Sequence, residues 1–149
     1  MKKYGEVYRI SVSAEKGSKK NNIDKAALRE NFGIECDAHA GSPRQVSLLQ
    51  FEAFDVIREK LQEIKPGDFA ENITTRGFDF SSASIGDHLY IGDNAHLVIT
   101  HIGKECHNGC EIKRQVGDCI MPRLGIFASI IEGGMIQVGD KIRWENDHD

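Results

Sequence analysis

The chain has 149 residues, 40% hydrophobic and 28% charged, with a formal net charge of -4. This length fits one domain over residues 1–149 that buries a core without disulfide staples, and the mild negative charge supplies no field for nucleic acid. Met1-Lys2-Lys3 leads into Tyr4-Gly5-Glu6 rather than into an apolar run, and no segment approaches a membrane span, so the expected setting is the cytoplasm, with no membrane partner and with thiols kept reduced.

In chain order, residues 5–13 read as a strand, followed by a polar loop over 16–22 whose lysines are either a solvated face or an anion-catching flap. Residues 22–31, with Ile23, Ala26 and Ala27 on one side, read as a short helix. A polar cluster, Cys36-Asp37-Ala38-His39-Ala40-Gly41-Ser42-Pro43-Arg44-Gln45, then leads into a strand over 44–49. In that cluster His39 can carry a proton or bind a metal, and Arg44 can fork onto a carboxylate or phosphate. The bland alternative makes His39 a packing residue and Arg44 a surface cation.

Phe51, Phe54, Ile57, Leu61 and Ile64 recur at steps of three and four, which predicts the one principal helix over 50–63, ended by Pro66-Gly67. Phe69-Ala70-Glu71-Asn72-Ile73 follows, where Glu71 or Asn72 could join a site or Asn72 could shape a loop. Short β-prone segments then recur over 88–91, 95–101, 126–131, 135–138 and 141–144, punctuated by Gly86-Asp87, Gly92-Asp93, Gly117-Asp118 and Gly139-Asp140. Glu132-Gly133-Gly134 is expected to close a hairpin between two of them. The pattern predicts a mainly β fold, a barrel with one helix and long connecting loops.

Three of the four cysteines fall in one short stretch, Cys106, Cys110 and Cys119, with Gly103 and Gly109 turning the chain around the first. Lys104 and a protonated His107 favour a thiolate at Cys106, whereas Glu105 opposes it. Cys36-x-x-His39 with Cys106-x-x-x-Cys110 would supply zinc ligands if their loops met, although the spacing is not that of a common zinc module. A thiol and imidazole metal-binding module with a structural or regulatory role is therefore the alternative reading. No nucleophile elbow, Walker loop or dinucleotide fingerprint is present.

Taken together, Lys16-Gly17, Asp37-Ala38-His39-Ala40-Gly41, Arg44-Gln45-Val46-Ser47-Leu48-Leu49, Phe69-Ala70-Glu71-Asn72-Ile73, Gly103-Lys104-Glu105-Cys106-His107 and Gly117-Asp118-Cys119-Ile120-Met121-Pro122-Arg123 resemble the MOSC domain family. This family is named for the C-terminal domain of molybdenum cofactor sulfurase, and the likeness is to its small stand-alone bacterial branch.

The resemblance implies a β-barrel that handles sulfur, carrying it as a cysteine persulfide for metal-sulfur cofactors such as the molybdenum cofactor (molybdopterin). Cys106 takes the position of the family's cysteine, with His39 or His107 as proton shuttle. Arg44, Lys104 and Arg123 are the candidates for the cofactor's phosphate, with Asn72 beside them; no metal ligand set is assigned. Cys36 stands where the family has glycine, as an extra thiol or a small-residue replacement. No lysine lies in a recognisable pyridoxal phosphate context, so a separate cysteine desulfurase is the expected donor and the cofactor or a molybdoenzyme the expected acceptor. Turnover as a sulfur transferase is left open.

Overall fold

The computed structural model describes residues 2–13, 21–35, 37, 38, 40, 41, 45–54, 66, 71–77, 83–102 and 125–146. Their strands are β1 (Lys2–Val12), β2 (Asn21–Ile23), β3 (Lys25–Arg29), β4 (Gly33–Ile34), β5 (Val46–Gln50), β6 (Ile73–Arg76), β7 (His88–Ile91), β8 (Ala95–Ile102), β9 (Ile126–Glu132), β10 (Gly134–Gln137) and β11 (Lys141–Glu145). The neighbour order β11-β7-β8-β9-β5-β6-β1, with β1 also paired to β11, closes a seven-stranded barrel. Closure works because β1 is long: Lys2 to Glu6 pair with β11, and Glu6 to Ile10 pair with β6 across a bulge between Val7 and Arg9. β5 and β6 run parallel, Leu48 opposite Ile73, and every other pair in the ring is antiparallel.

The core follows from period-two alternation. In β7 and β8, Leu89, Ile91, Ala95, Leu97 and Ile99 point inward, while His88, Tyr90, His96 and Val98 alternate with them and are half-buried. Val7, Ile10, Val46, Leu48, Ile73, Ile126, Ile130, Ile142 and Trp144 complete the interior. Each such aliphatic side chain contributes about 1.5–3 kcal/mol on leaving water. Trp144 satisfies its one polar group by donating Nε1–H to Asp87 Oδ2 at 3.1 Å. β5 departs from alternation: outward-facing Ser47 and Leu49 are as buried as Val46 and Leu48, so the barrel wall there is no solvent face.

Two expectations are corrected. Residues 22–31 form β2 and β3, not a helix: Ala26 and Leu28 are buried alternately with Lys25, Ala27 and Arg29, and Ala27 pairs with Met135 of β10. Pairing with β10 overrides the helix preference of alanine. The second concerns Glu132-Gly133-Gly134, which joins β9 to β10 without making them a hairpin. β10 leaves the barrel and pairs with β3, forming the small sheet β10-β3-β4.

Gly133 permits that departure because its backbone crosses β3 so closely that a Cβ would lie 2.4 Å from the Leu28 carbonyl oxygen. Gly133→Ala is therefore expected to cost about 1–3 kcal/mol, measured by denaturant unfolding. An unchanged midpoint would show that the crossing tolerates a side chain.

The principal helix is met only at its start. Phe51–Ala53 is a 3-10 turn and Phe54 continues in helical conformation with φ -67° and ψ -25°; residues 55–63 lie outside the described residues. Among the described residues no helix is long and apolar enough to cross a membrane.

Candidate functional site

The loop that carries the Asp-x-His motif is tied to the barrel at both ends. At its start, buried Asp37 accepts the Ser13 N–H through Oδ1 at 3.1 Å, and the Ala38 N–H donates to the Ser13 carbonyl at 2.8 Å. A tight turn follows, with the Ala40 N–H on the Asp37 carbonyl at 3.2 Å and the Gly41 N–H on the Phe32 carbonyl at 2.8 Å. At the other end, Gln45 Nε2–H donates to Asn31 Oδ1 at 3.2 Å, and Gln45 Oε1 accepts the Ile130 N–H of β9 at 3.1 Å.

Next to Ser13 lies a second tie. Asn72 is fully buried where β6 begins, and its Oδ1 accepts both the N–H and the hydroxyl of Ser47 in β5, at 3.0 and 3.2 Å. Asn72 Nδ2–H donates to the Ser11 carbonyl of β1 at 3.2 Å, while the Ser11 N–H donates to the Asn72 carbonyl at 2.7 Å. The Asn72 N–H lies 3.0 Å from both the Ser47 carbonyl and hydroxyl oxygens. Asn22 extends the cluster, donating Nδ2–H to Ser11 Oγ at 2.8 Å and to the Pro66 carbonyl at 3.0 Å. Beside Asn72, fully buried Glu71 accepts the Thr74 hydroxyl through Oε2 at 2.9 Å.

Ser11, Ser13, Asp37, Ser47, Glu71, Asn72 and Thr74 thus form a buried polar floor where β1 ends and β5 and β6 begin. Among the described residues, all the hydrogen bonds of the Asn72 side chain run to Ser11 and Ser47. It acts there as a clamp across three strands. Ser11, Ser13 and Ser47 were not singled out as site residues; the available signal was a serine set among aliphatic neighbours in each strand, where a hydroxyl must find a partner on burial.

Residues 103–124, which hold three of the cysteines, connect β8 to β9 at the end of the barrel where β5 ends, whereas residues 37–45 lead into its start. β8 ends at Ile102 and β9 begins at Ile126, which pair with each other, and β9 in turn pairs with β5 through Leu48. A bulge between Ile99 and His101 marks the exit, where Thr100 Oγ1 contacts His101 Nδ1 at 3.0 Å and donates to the Phe127 carbonyl at 3.3 Å. His39, Arg44, Lys104, Cys106, His107 and Arg123, together with Cys36, Cys110 and Cys119, lie outside the described residues. The sequence also leads us to expect that His39, Arg44 and Cys106 converge on one concave site, and that expectation falls on residues outside the described set as well. Among the described residues no three His, Cys, Asp or Glu side chains gather as a metal centre. A cleft of about 560 Å³ bordered by Lys25, Asp93, Gln137 and Lys141 includes none of the residues nominated above.

A seven-stranded barrel with a loop anchored through an aspartate, and with a strand start clamped through an asparagine, defines a class of small β-barrel domain. Residues 35–143 match the MOSC domain model, and the chain belongs to that family. MOSC domains are associated in general with molybdenum cofactor metabolism.

Solved structures agree on the fold. The YUAD protein from Bacillus subtilis is similar at a TM-score of 0.82 and 18% identity, with 99% of each chain covered. YiiM from Escherichia coli gives 0.67 and 18%, covering all of this chain and 72% of that one. YiiM from Geobacillus stearothermophilus gives 0.69 and 15%, covering 95% and 75%. At these identities the likeness concerns the fold alone. No curated protein matches the chain.

Proposed function

We propose that this protein carries sulfur as a persulfide on Cys106 and delivers it in molybdenum cofactor metabolism. The observation that supports this most is the family match, whose residues 35–143 take in both the anchored Asp37 loop and the thiol loop.

In the proposed reaction the Cys106 thiolate attacks the terminal sulfur of the desulfurase's persulfide. A sulfur–sulfur bond forms on Cys106, and the desulfurase cysteine leaves as thiolate, with no net oxidation. Lys104 and protonated His107 favour the thiolate, and His39 or His107 handles the proton. The buried floor around Asn72 contributes position: its carboxamide is engaged with Ser11 and Ser47, which leaves recognition of the acceptor's phosphate to Arg44, Lys104 and Arg123.

Onward delivery is tested by loading the protein with sulfur, removing the donor, and adding molybdenum cofactor that lacks its terminal sulfur in its reduced Mo(IV) form, the metal supplying the two electrons that take the outer sulfur to sulfide level while Cys106 leaves as thiolate. The protein is expected to lose one sulfur as the cofactor gains it. Retention of the sulfur by the protein in the presence of excess cofactor would overturn the acceptor assignment.

A further inference from the structure

On the outer face of the barrel, away from the polar floor, two imidazoles meet across neighbouring strands. His88 Nδ1 of β7 and His96 Nε2 of β8 are 2.9 Å apart. The register places His96 opposite Tyr90 and His88 opposite Val98, so the two histidines are diagonal neighbours on one face. His96 is stacked on Tyr90, with ring centroids 4.4 Å apart and planes 12° from parallel. On β11, Arg143 lies over the Tyr90 ring at 4.3 Å and approaches Glu145 at 3.5 Å. Across the flanking strands, Glu145 is the register partner of His88 and Glu132 that of His96.

We propose that His88 and His96 form a two-imidazole site for a divalent transition metal ion of the nickel and copper type. Two metal–nitrogen bonds of about 2.0–2.1 Å at a right angle place the nitrogens about 2.9 Å apart, whereas a tetrahedral ion needs about 3.3 Å. The observed separation matches the right-angled case. Ring direction must still change: the centroids are 5.1 Å apart, so the rings now meet end to end, as for a hydrogen bond. His96 is pinned by Tyr90. His88, 6.3 Å from that ring, is the one that tilts so that both lone pairs aim at one point.

The hydrogen between the rings moves to the outer nitrogen of its own imidazole, so both ligands stay neutral and no proton is released. Glu132 and Glu145 offset the incoming positive charge, against Arg143, and the closed barrel fixes the spacing of the two strands. This site does not depend on the sulfur chemistry proposed above.

The probe is Ni²⁺, titrated into the full-length reduced protein by calorimetry, with His88→Asn and His96→Asn compared. The unmodified chain is expected to bind one more equivalent than either variant, or to bind it at least ~10-fold more tightly. In the unmodified chain, paramagnetic broadening of NMR signals should centre on residues 88–90 and 96–98, a readout that needs no variant to fold. Identical isotherms in the three proteins, or broadening confined to other histidines and the cysteines, would overturn the site.

Discussion

Replacing Cys106 by serine is expected to abolish sulfur loading, while Cys119→Ser leaves it intact and Cys110→Ser changes only how long the sulfur stays. The contrast follows from chemistry. A persulfide forms by attack of a thiolate on a sulfur, and a serine hydroxyl is neither acidic nor nucleophilic enough to replace it near neutral pH. Cys106 sits between Lys104 and His107 in a glycine-flanked stretch, whereas Cys119 adjoins Ile120 and Met121, the setting of a buried small hydrophobe. Cys110, four residues from Cys106, is placed to resolve a persulfide or to pack. Intact-mass measurement of the four reduced proteins after exposure to a cysteine desulfurase and cysteine distinguishes the three behaviours. Full loading of Cys106→Ser would move the role to another thiol.

The second large effect is on stability. Asn72→Ala removes a carboxamide that joins β1, β5 and β6, leaving the Ser47 N–H without its acceptor and the Ser11 carbonyl without that donor, both inside the protein. Each abandoned buried group costs about 1–3 kcal/mol, so the expected loss is about 2–6 kcal/mol, or roughly 10 °C in melting temperature for a domain of this size. Thermal unfolding measures it. If Asn72 served only to touch a bound cofactor, the apo protein would melt unchanged, and that result would refute the clamp.

Much of the barrel could be read from the chain because its signals are local. Aliphatic alternation in residues 88–91 and 95–101 marked β7 and β8, and Gly92 and Gly139, with φ of 62° and 96°, adopt backbone conformations that glycine tolerates at the turns where Gly-Asp pairs predicted them. What failed was decided elsewhere in the chain. Ala26 and Ala27 favour a helix until β10 arrives to pair with them, and Gly133-Gly134 resembles a hairpin turn until Leu28 is found beneath it. The Asn72 clamp joins residues 25 and 61 positions away, a distance over which no spacing rule speaks. For the site, the resemblance includes Asp37 in its motif and nominates Asn72 for cofactor binding, but the anchoring of the two to Ser13, Ser11 and Ser47 could emerge only from the folded chain.

The sulfur-carrier account is tested most directly by peptide-resolved mass spectrometry of the wild-type protein, reduced, loaded by a cysteine desulfurase with cysteine, and digested without reductant. One added sulfur on the peptide containing Cys106, reversed by thiol treatment, is the predicted result. An unchanged mass, or a sulfur found only on the peptides of Cys36 or Cys119, would contradict it.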